Sequence, residues 1–486
     1  MSLAHPAALP AGRDTAWPMA LVVLGLGLLA LGWAFATEAV VAVKTWDAST
    51  AYNHCWLVLP VAGWLAWQRR HRLAGLQPEP MPLAAVAALG TGVAWLVAER
   101  LGIMEGRQLA AMAMVECFIL AVLGWRIGKA MAAPLLYLFF LVPFGAFMVP
   151  ALQHVTAWFI VSGLQVLGIP HYHDAFIIEI PAGTFLVAEA CAGLRFIVAA
   201  LAFGALYAFV MFRSPSRRLA VMALALIVPV MANGIRALGI VLLGNYLGSA
   251  QAAAADHLVY GWIFFSAVIL LLVVAGLPFR EDTTPLPVAP APASPRATAG
   301  RATLLASAGL CCAAALAGPA LAVTIDQVGT APPQTIGVPL TGLGCQPEGG
   351  ALRCGQEVVE AQLLVFSPRA TWGSVTAERY RLSGSSDEDA IFTLKAGDAT
   401  WQLRQDSEAS RTIAVATWLD GAPTGDGLRT RLRQAMNSLR TTHGSPVLAV
   451  AVWRNEAGQQ RPPTQERLRM QLEQLAQRAS AASLQD

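Results

Sequence analysis

The stretch Cys191-Ala192-Gly193-Leu194-Arg195-Phe196-Ile197-Val198-Ala199-Ala200-Leu201-Ala202-Phe203-Gly204-Ala205-Leu206-Tyr207-Ala208-Phe209-Val210-Met211-Phe212 decides how the chain is read. Its 22 residues carry one charge, Arg195, near the start. At about 1.5 Å per residue such a helix reaches roughly 33 Å, enough to cross the ~30 Å hydrocarbon core of a bilayer. Arg213, Arg217 and Arg218 follow at once. Basic residues in a short loop keep that loop in the cytoplasm, so Cys191 is expected at the outer membrane boundary.

Seven further apolar runs precede residue 280: 17–36, 55–68, 82–98, 109–125, 130–149, 219–245 and 258–279. Arg69-Arg70-His71-Arg72, Arg126 with Lys129, and Arg280 follow three of them. With a cytoplasmic tail at 1–16, all the basic clusters fall on one side, and loops 37–54, 99–108, 150–190 and 246–257 fall on the other. A Pro/Ala-rich cytoplasmic linker, 281–301, leads to another apolar run, 302–323, read as a ninth anchor. Ala34-Phe35-Ala36 and Ala320-Leu321-Ala322 resemble signal-peptidase sites, but both runs are read as retained anchors.

The residues after 324 form a second, unlike part. Strand patterns occur at 360–366, 390–395, 399–404, 411–418 and 446–453, and helical patterns at 426–441 (Leu428, Leu432 and Met436 spaced by four) and 464–479. The expected fold is therefore an all-α polytopic membrane bundle of about eight transmembrane helices over 17–280. A ninth anchor and a small α+β extracytoplasmic domain over 324–486 follow it. Composition agrees: 33 basic and 30 acidic residues make only 13% of 486, against 56% hydrophobic. So few charges exclude a wholly soluble enzyme and a basic nucleic-acid binder; the lipid bilayer is the expected partner.

The seven cysteines divide by location. Cys345 and Cys354 lie in the outward tail, where an oxidising exterior allows a disulfide. Cys117, Cys311 and Cys312 read as small buried hydrophobes. Cys55 sits at the outer end of the second run. Cys191 stands apart because of its neighbours.

Val187-Ala188-Glu189-Ala190-Cys191 reads as the opening of the sixth helix, which puts Arg195 on the same face as Cys191, one turn deeper. A nearby cation and a helix N-terminus favour a thiolate. Gly193 is read as leaving space for a substrate backbone. The seventh helix carries Asn233-Gly234-Ile235-Arg236, and an arginine inside a span is expected to face the bundle interior with a partner. Pro229 just before it can kink that helix. The eighth helix opens at Asp256-His257, where the acid can orient a histidine general acid/base. Together these residues suit acyl transfer. Cys191 attacks a carbonyl, His257 protonates the leaving amine, and Arg236 stabilises the oxyanion, with Arg195, Asn233, Asp256 and Glu189 in support.

Each residue also has a plainer reading: Cys191 as packing, His257 as an interfacial polar tip, Arg236 as the ion-pair partner of Glu189 or Asp256. One geometric difficulty stands out. A straight seventh helix ending at Gly244 would leave Arg236 roughly 12 Å below its end, so either the helix stops early or Arg195 takes the oxyanion role. The loop before Cys191 reads as a hairpin, Phe176–Ile180 and Thr184–Val187 around Pro181-Ala182-Gly183. His171, His173 and Asp174 offer too few well-spaced ligands for a metal, and no metal or cofactor is expected.

These segments resemble the exosortase family of bacterial inner-membrane proteins over roughly residues 40–280. The resemblance rests on Pro134-Leu135-Leu136 through Val142-Pro143-Phe144-Gly145, Gly168-Ile169-Pro170, and the block Glu189-Ala190-Cys191-Ala192-Gly193-Leu194-Arg195. Asn233-Gly234-Ile235-Arg236 and Asp256-His257 with Gly261-Trp262 complete it. It implies a cysteine protease or transpeptidase with Cys191, Arg236 and His257 as catalytic residues, its active site and C-terminal domain facing the periplasm. Implied substrates are membrane-anchored proteins with a C-terminal sorting signal: a short motif often containing Pro-Glu-Pro, a transmembrane helix and a basic tail. A link to exopolysaccharide production is also implied. Ala192 stands where many members have Ser, and His54-Cys55 where His-Gly is common. The tail faintly resembles a periplasmic accessory domain sometimes fused behind exosortases. Two alternatives remain open: a non-catalytic membrane component of polysaccharide export, and a transporter with Arg236 and Glu116 along its pathway.

Overall fold

The computed structural model describes residues 16–248, 257–282, 300–327, 332–342, 344–383, 390–406, 411–440, 444–455 and 464–484. Asp256, nearly all of the 1–16 tail and most of the 281–301 linker lie outside the described residues. The chain forms two compact units, Met1–Ala88 with Ala111–Cys312, and Leu89–Ala110 with Ala313–Asp486.

Among the described residues, seven helices are long and apolar enough to cross a membrane, and two shorter apolar ones, Ala132–Leu141 and Ile263–Phe279, accompany them. The protein is thus a multi-pass membrane protein built on a polytopic helical bundle. In chain order the helices are α1 (Ala16–Ala34), α2 (Ala36–Ala48), α3 (Cys55–Arg69), α4 (Ala84–Leu101), α5 (Met104–Leu123), α6 (Trp125–Ala130), α7 (Ala132–Tyr137), α8 (Val149–Val166), α9 (Leu194–Met211), α10 (Pro215–Leu247), α11 (His257–Gly276) and α12 (Arg301–Gln327). Their exposed Leu, Val, Ile and Trp side chains are those expected to meet lipid.

Four stretches differ from the sequence expectation. The run 130–149 is not one helix. It is broken at Val142–Gly145, where Pro143 lacks an N–H and disfavours a helical Val142, and Gly145 adopts φ +113°. The next stretch, expected as part of an outward loop, is instead α8, opened by Pro150 in its first turn. Loop 37–54 likewise contains α2, and α5 begins at Met104, so only Gly102 and Ile103 separate it from α4. Ala320-Leu321-Ala322 lies within the continuous α12.

Before α9 comes a small antiparallel sheet, β1 (Tyr172–Asp174), β2 (Ile177–Ile180) and β3 (Gly183–Leu186), paired in that order. Helix α10 starts after Ser214 with Pro215 in its first turn and ends on Gly248 at φ +68°, the usual stop signals. It runs unbroken through the buried Pro229 for 33 residues.

In the second unit, Gly92 of α4 meets Gly318 of α12 so closely that a Cβ on Gly318 would lie 2.1 Å from the Gly92 carbonyl oxygen. Small residues permit such helix contacts in membranes. The tail strands are β4 (Gln334–Gly337), β5 (Gln346–Glu348), β6 (Ala351–Cys354), β7 (Glu357–Val365), β8 (Ala390–Ala396), β9 (Ala399–Asp406), β10 (Arg411–Leu419), β11 (Ala422–Thr424) and β12 (Val447–Asn455). They form an antiparallel sheet ordered β5-β6-β7-β12-β10-β9-β8, with β4 on β7 and β11 on β10. The central strands β10 (Arg411–Leu419) and β12 (Val447–Asn455) are covered on both faces. Trp401, Trp418 and Trp453 face α15 (Gln465–Ala482) through Leu468, Leu472 and Leu475. Ile413, Val415, Leu448 and Val450 face α13 (Trp372–Ser383) through Trp372 and Val375. Helix α14 (Leu428–Arg440) contacts α13. Cys345 and Cys354 form a disulfide across the β5–β6 hairpin, one position beyond the Gln346–Arg353 pair. The short strands β4, β5, β6 and β11, and helix α13, lacked a strong enough apolar period to be read from sequence.

Candidate active site

Cys191 ends a short 3-10 turn, Glu189–Cys191, that follows β3, and it is half-buried. It does not lie on α9. Gly193 intervenes at φ +85°, and the helix starts at Leu194, so the expected shared face of Cys191 and Arg195 does not form. Only glycine adopts this left-handed turn without strain. Glycine is required here for a second reason: a Cβ at 193 would lie 2.6 Å from Asn233 Cγ. The space expected for a substrate backbone is thus filled by Asn233.

Asn233 is buried, and its amide donates to the backbone carbonyl of Cys191 at 2.9 Å and to Thr156 Oγ1 of α8 at 3.2 Å. Its own Oδ1 has no hydrogen-bond partner among the described residues. Gln153, one turn before Thr156, donates to the Val187 carbonyl at 2.9 Å and ties the end of the sheet to α8. Cys191 is therefore held by its backbone, with polar side chains from two other helices.

Arg236 lies one turn beyond Asn233 and is 2% exposed. Its guanidinium carbon is 5.6 Å from the Phe196 ring centroid, and that of Arg195 is 4.8 Å from the same ring. Phe265 of α11 stands 4.7 Å from Phe196. Cation–π contact with the Phe196 ring offsets part of the cost of burying Arg236. Arg195 Nε is buried without a hydrogen-bond partner among the described residues. A Cβ on Gly261 would sit 3.1 Å from Arg236 Nη2, so the N-terminal part of α11 passes against this guanidinium. His257 opens the helix one turn earlier. Its side chain and the whole of Asp256 lie outside the described residues. Glu189 is exposed and makes no ion pair among the described residues.

The depth difficulty has a physical answer that neither expected alternative supplied. Helix α9 has 18 residues and so rises about 27 Å. Asn233 lies 18 residues after Pro215, again about 27 Å, level with Cys191 as their hydrogen bond requires. The rest of α10, to Leu247, rises about 20 Å past that level. Helix α8 packs along this projecting half, with Phe159 against Gly234 and Leu238 against Gly163. Ile178 and Ile180 of the sheet join Leu164, Ala237 and Val241 in the same cluster. Arg236 is far from the helix end yet adjacent to the level of Cys191. The end of α10 is not the edge of the site.

An apolar groove of about 950 Å³ lies along α10 and α11, running from Arg217 to Ile235, with Leu224, Met231, Phe264 and Leu271 among its walls. Cys191, Asn233 and Arg236 do not line it; Ala232 and Ile235, which do, precede Asn233 and Arg236 on α10.

Residues 46–274 match the transmembrane exosortase family. These residues belong to the exosortase family. The match spans Cys191, Asn233, Arg236 and His257 and stops before α12 and the tail domain. No curated protein and no solved structure matches the chain. Exosortases are in general membrane peptidases or transpeptidases. Sequence reading missed Thr156, Gln153 and Phe196. Gln153 and Thr156 were hidden in a stretch taken for a loop, and Phe196 looked like any apolar span residue.

Proposed function

We propose that the protein is a membrane-embedded cysteine protease or transpeptidase of the exosortase type, which cleaves the C-terminal sorting signals of exported membrane-anchored proteins. The observation that carries this reading is the Asn233 hydrogen bond to the Cys191 carbonyl, which brings the thiol-bearing turn beside the helix that holds Arg236. The proposed steps follow from acyl-transfer chemistry. The Cys191 thiolate adds to the carbonyl carbon of the scissile bond, and the oxyanion forms beside Arg236. Collapse breaks the C–N bond, His257 gives its proton to the leaving amine, and a thioester remains on Cys191. Water or an acceptor amine then releases the acyl group. Arg195 and Asn233 are positioning residues in this scheme.

The groove supports a route for the substrate. Its apolar walls suit the substrate's own transmembrane helix, entering sideways from lipid, while the motif beyond that helix reaches Cys191. A basic tail would then lie toward the Arg217 end. In this reading the Cys191 side and the C-terminal domain face the periplasm of a bacterial inner membrane, as the basic loops favour. The sorted product would serve surface display or exopolysaccharide production.

Co-expression with a signal-bearing substrate tests the proposal. The wild type is expected to shorten the substrate, and Cys191→Ala, Arg236→Ala and His257→Ala to leave it full length. Normal processing by Cys191→Ala would sink the cysteine-protease reading.

A further inference from the structure

Helix α14 is turned inside out for a helix of a soluble domain. A surface helix in water buries its apolar stripe and exposes its polar one. Here the buried side is polar: Gln434, Asn437 and Ser438 are all at most 5% exposed. Gln434 donates to the carbonyls of Pro368 and Ala370 at 3.0 and 2.7 Å, and Asn437 to Asp420 at 3.0 Å. The outward side carries Leu428, Leu432, Met436 and Leu439, exposed by 65, 53, 43 and 58%. Single exposed apolar residues are ordinary, but four along one helix face form a patch that needs an apolar neighbour. Arg429 and Arg433, both exposed, run along one border of this stripe.

The same unit says what that neighbour is. Arg431, on the other border of the stripe, donates to the carbonyls of Leu101 and Gly102 at 3.0 and 2.8 Å. These are carbonyls at the C-terminal end of α4, where a cation is favoured. The start of α13 abuts the same end, since a Cβ on Gly102 would lie 2.3 Å from the Gly373 nitrogen. Arg369 donates to the Ile325 carbonyl near the end of α12 at 3.2 Å, and Arg100 bonds Asp326 at 2.8 Å. Both α4 and α12 are long and apolar enough to span a membrane. Helix α14 is thus fixed beside the point where two spans leave the bilayer.

We propose that α14 is an interfacial helix, with its Leu428–Leu439 stripe immersed in the lipid surface around the ends of α4 and α12 and Arg429 and Arg433 on headgroup phosphates. An apolar stripe bordered by arginines is the pattern of a helix lying in the plane of a membrane. The tail domain then rests on the bilayer instead of swinging on α12.

Photo-crosslinking of the full-length protein in vesicles of phosphatidylethanolamine and phosphatidylglycerol tests this. A benzophenone amino acid replaces Leu432 in one sample and Met436 in another. In a control it replaces Met470, exposed on α15 at the opposite face of the sheet. The expected result is a phospholipid adduct at 432 and 436, severalfold above that at 470. Cross-links from 432 or 436 to peptides of this chain or of a second copy, or lipid adducts no greater than at 470, would overturn the proposal. The readout is independent of peptidase activity.

Discussion

The side-chain amide of Asn233 donates to the backbone carbonyl of Cys191 across 2.9 Å. The bond joins the turn after β3 to the middle of α10 and sets the level of the proposed nucleophile relative to Arg236. Removing the amide leaves a carbonyl short of a partner, a cost of about 1–3 kcal/mol at a buried site. Asn233→Ala is expected to lower the melting temperature in detergent and to slow substrate processing. Asn233→Gln, which keeps the amide but lengthens the chain, should also slow processing. Unchanged melting and processing in Asn233→Ala would remove Asn233 from the site.

Gly193 should tolerate no side chain. Alanine there meets Asn233 at 2.6 Å and must adopt φ +85°. Such strain costs on the order of 1–3 kcal/mol. Gly193→Ala is expected to reduce processing at least as much as Asn233→Ala. Combined, the two substitutions should cost less than their sum, because removing the Asn233 side chain relieves the clash. Additive losses would show that the contact carries no coupling.

The groove makes a separate prediction. Met231→Trp narrows it from a wall residue, and Cys191, Asn233 and Arg236 are not among the residues that line it. This variant should lose processing of a membrane-anchored substrate while Cys191 still reacts with a small maleimide at the wild-type rate. Full processing of the anchored substrate would close the lateral route.

Glu281 gives the protein a pH-dependent clamp. Its carboxylate accepts from the backbone N–H groups of Ser214 and Arg213, at 2.8 and 2.6 Å, and pairs with Arg217 at 3.3 Å. These hydrogen bonds hold its pKa below the ordinary 4.5. A depressed folded-state pKa stabilises the fold above the unfolded value, and that stability fades as pH falls through the folded value. Wild type should therefore melt above Glu281→Gln at pH 7, and the gap should shrink only below about pH 4.5. A gap constant down to pH 3 would contradict the assignment.

Much of this architecture was legible in sequence because spans and basic loops obey length and charge rules that need no tertiary knowledge. The strands at β7, β9, β10 and β12 were equally readable from their apolar runs. What stayed hidden was set by contacts distant in sequence. Helix α8 carries Gln153, His154 and Gln165 yet is as apolar as α4. It stayed hidden because reading 130–149 as one span leaves 150–190 as a loop, and the break at Val142–Gly145 that frees the stretch for a helix is set by Pro143 and Gly145. The turn at Gly193 looked like a continuing helix because Ala190, Cys191, Ala192 and Leu194 all suit one. In α14 the four-residue spacing of Leu428, Leu432 and Met436 announced the helix correctly. The periodicity says nothing about which side faces the sheet, and here it is the polar one.

The most direct measurement is the mass of Cys191 itself. The purified full-length protein is mixed with a membrane-anchored substrate, quenched in acid and digested. The peptide containing Cys191 is predicted to carry the substrate's acyl fragment as a hydroxylamine-labile thioester, at no other cysteine, and His257→Ala, which lacks the proton donor for the leaving amine, should form no adduct. Shortened substrate with an unmodified Cys191 throughout the time course, and equal shortening by Cys191→Ala, would contradict the account.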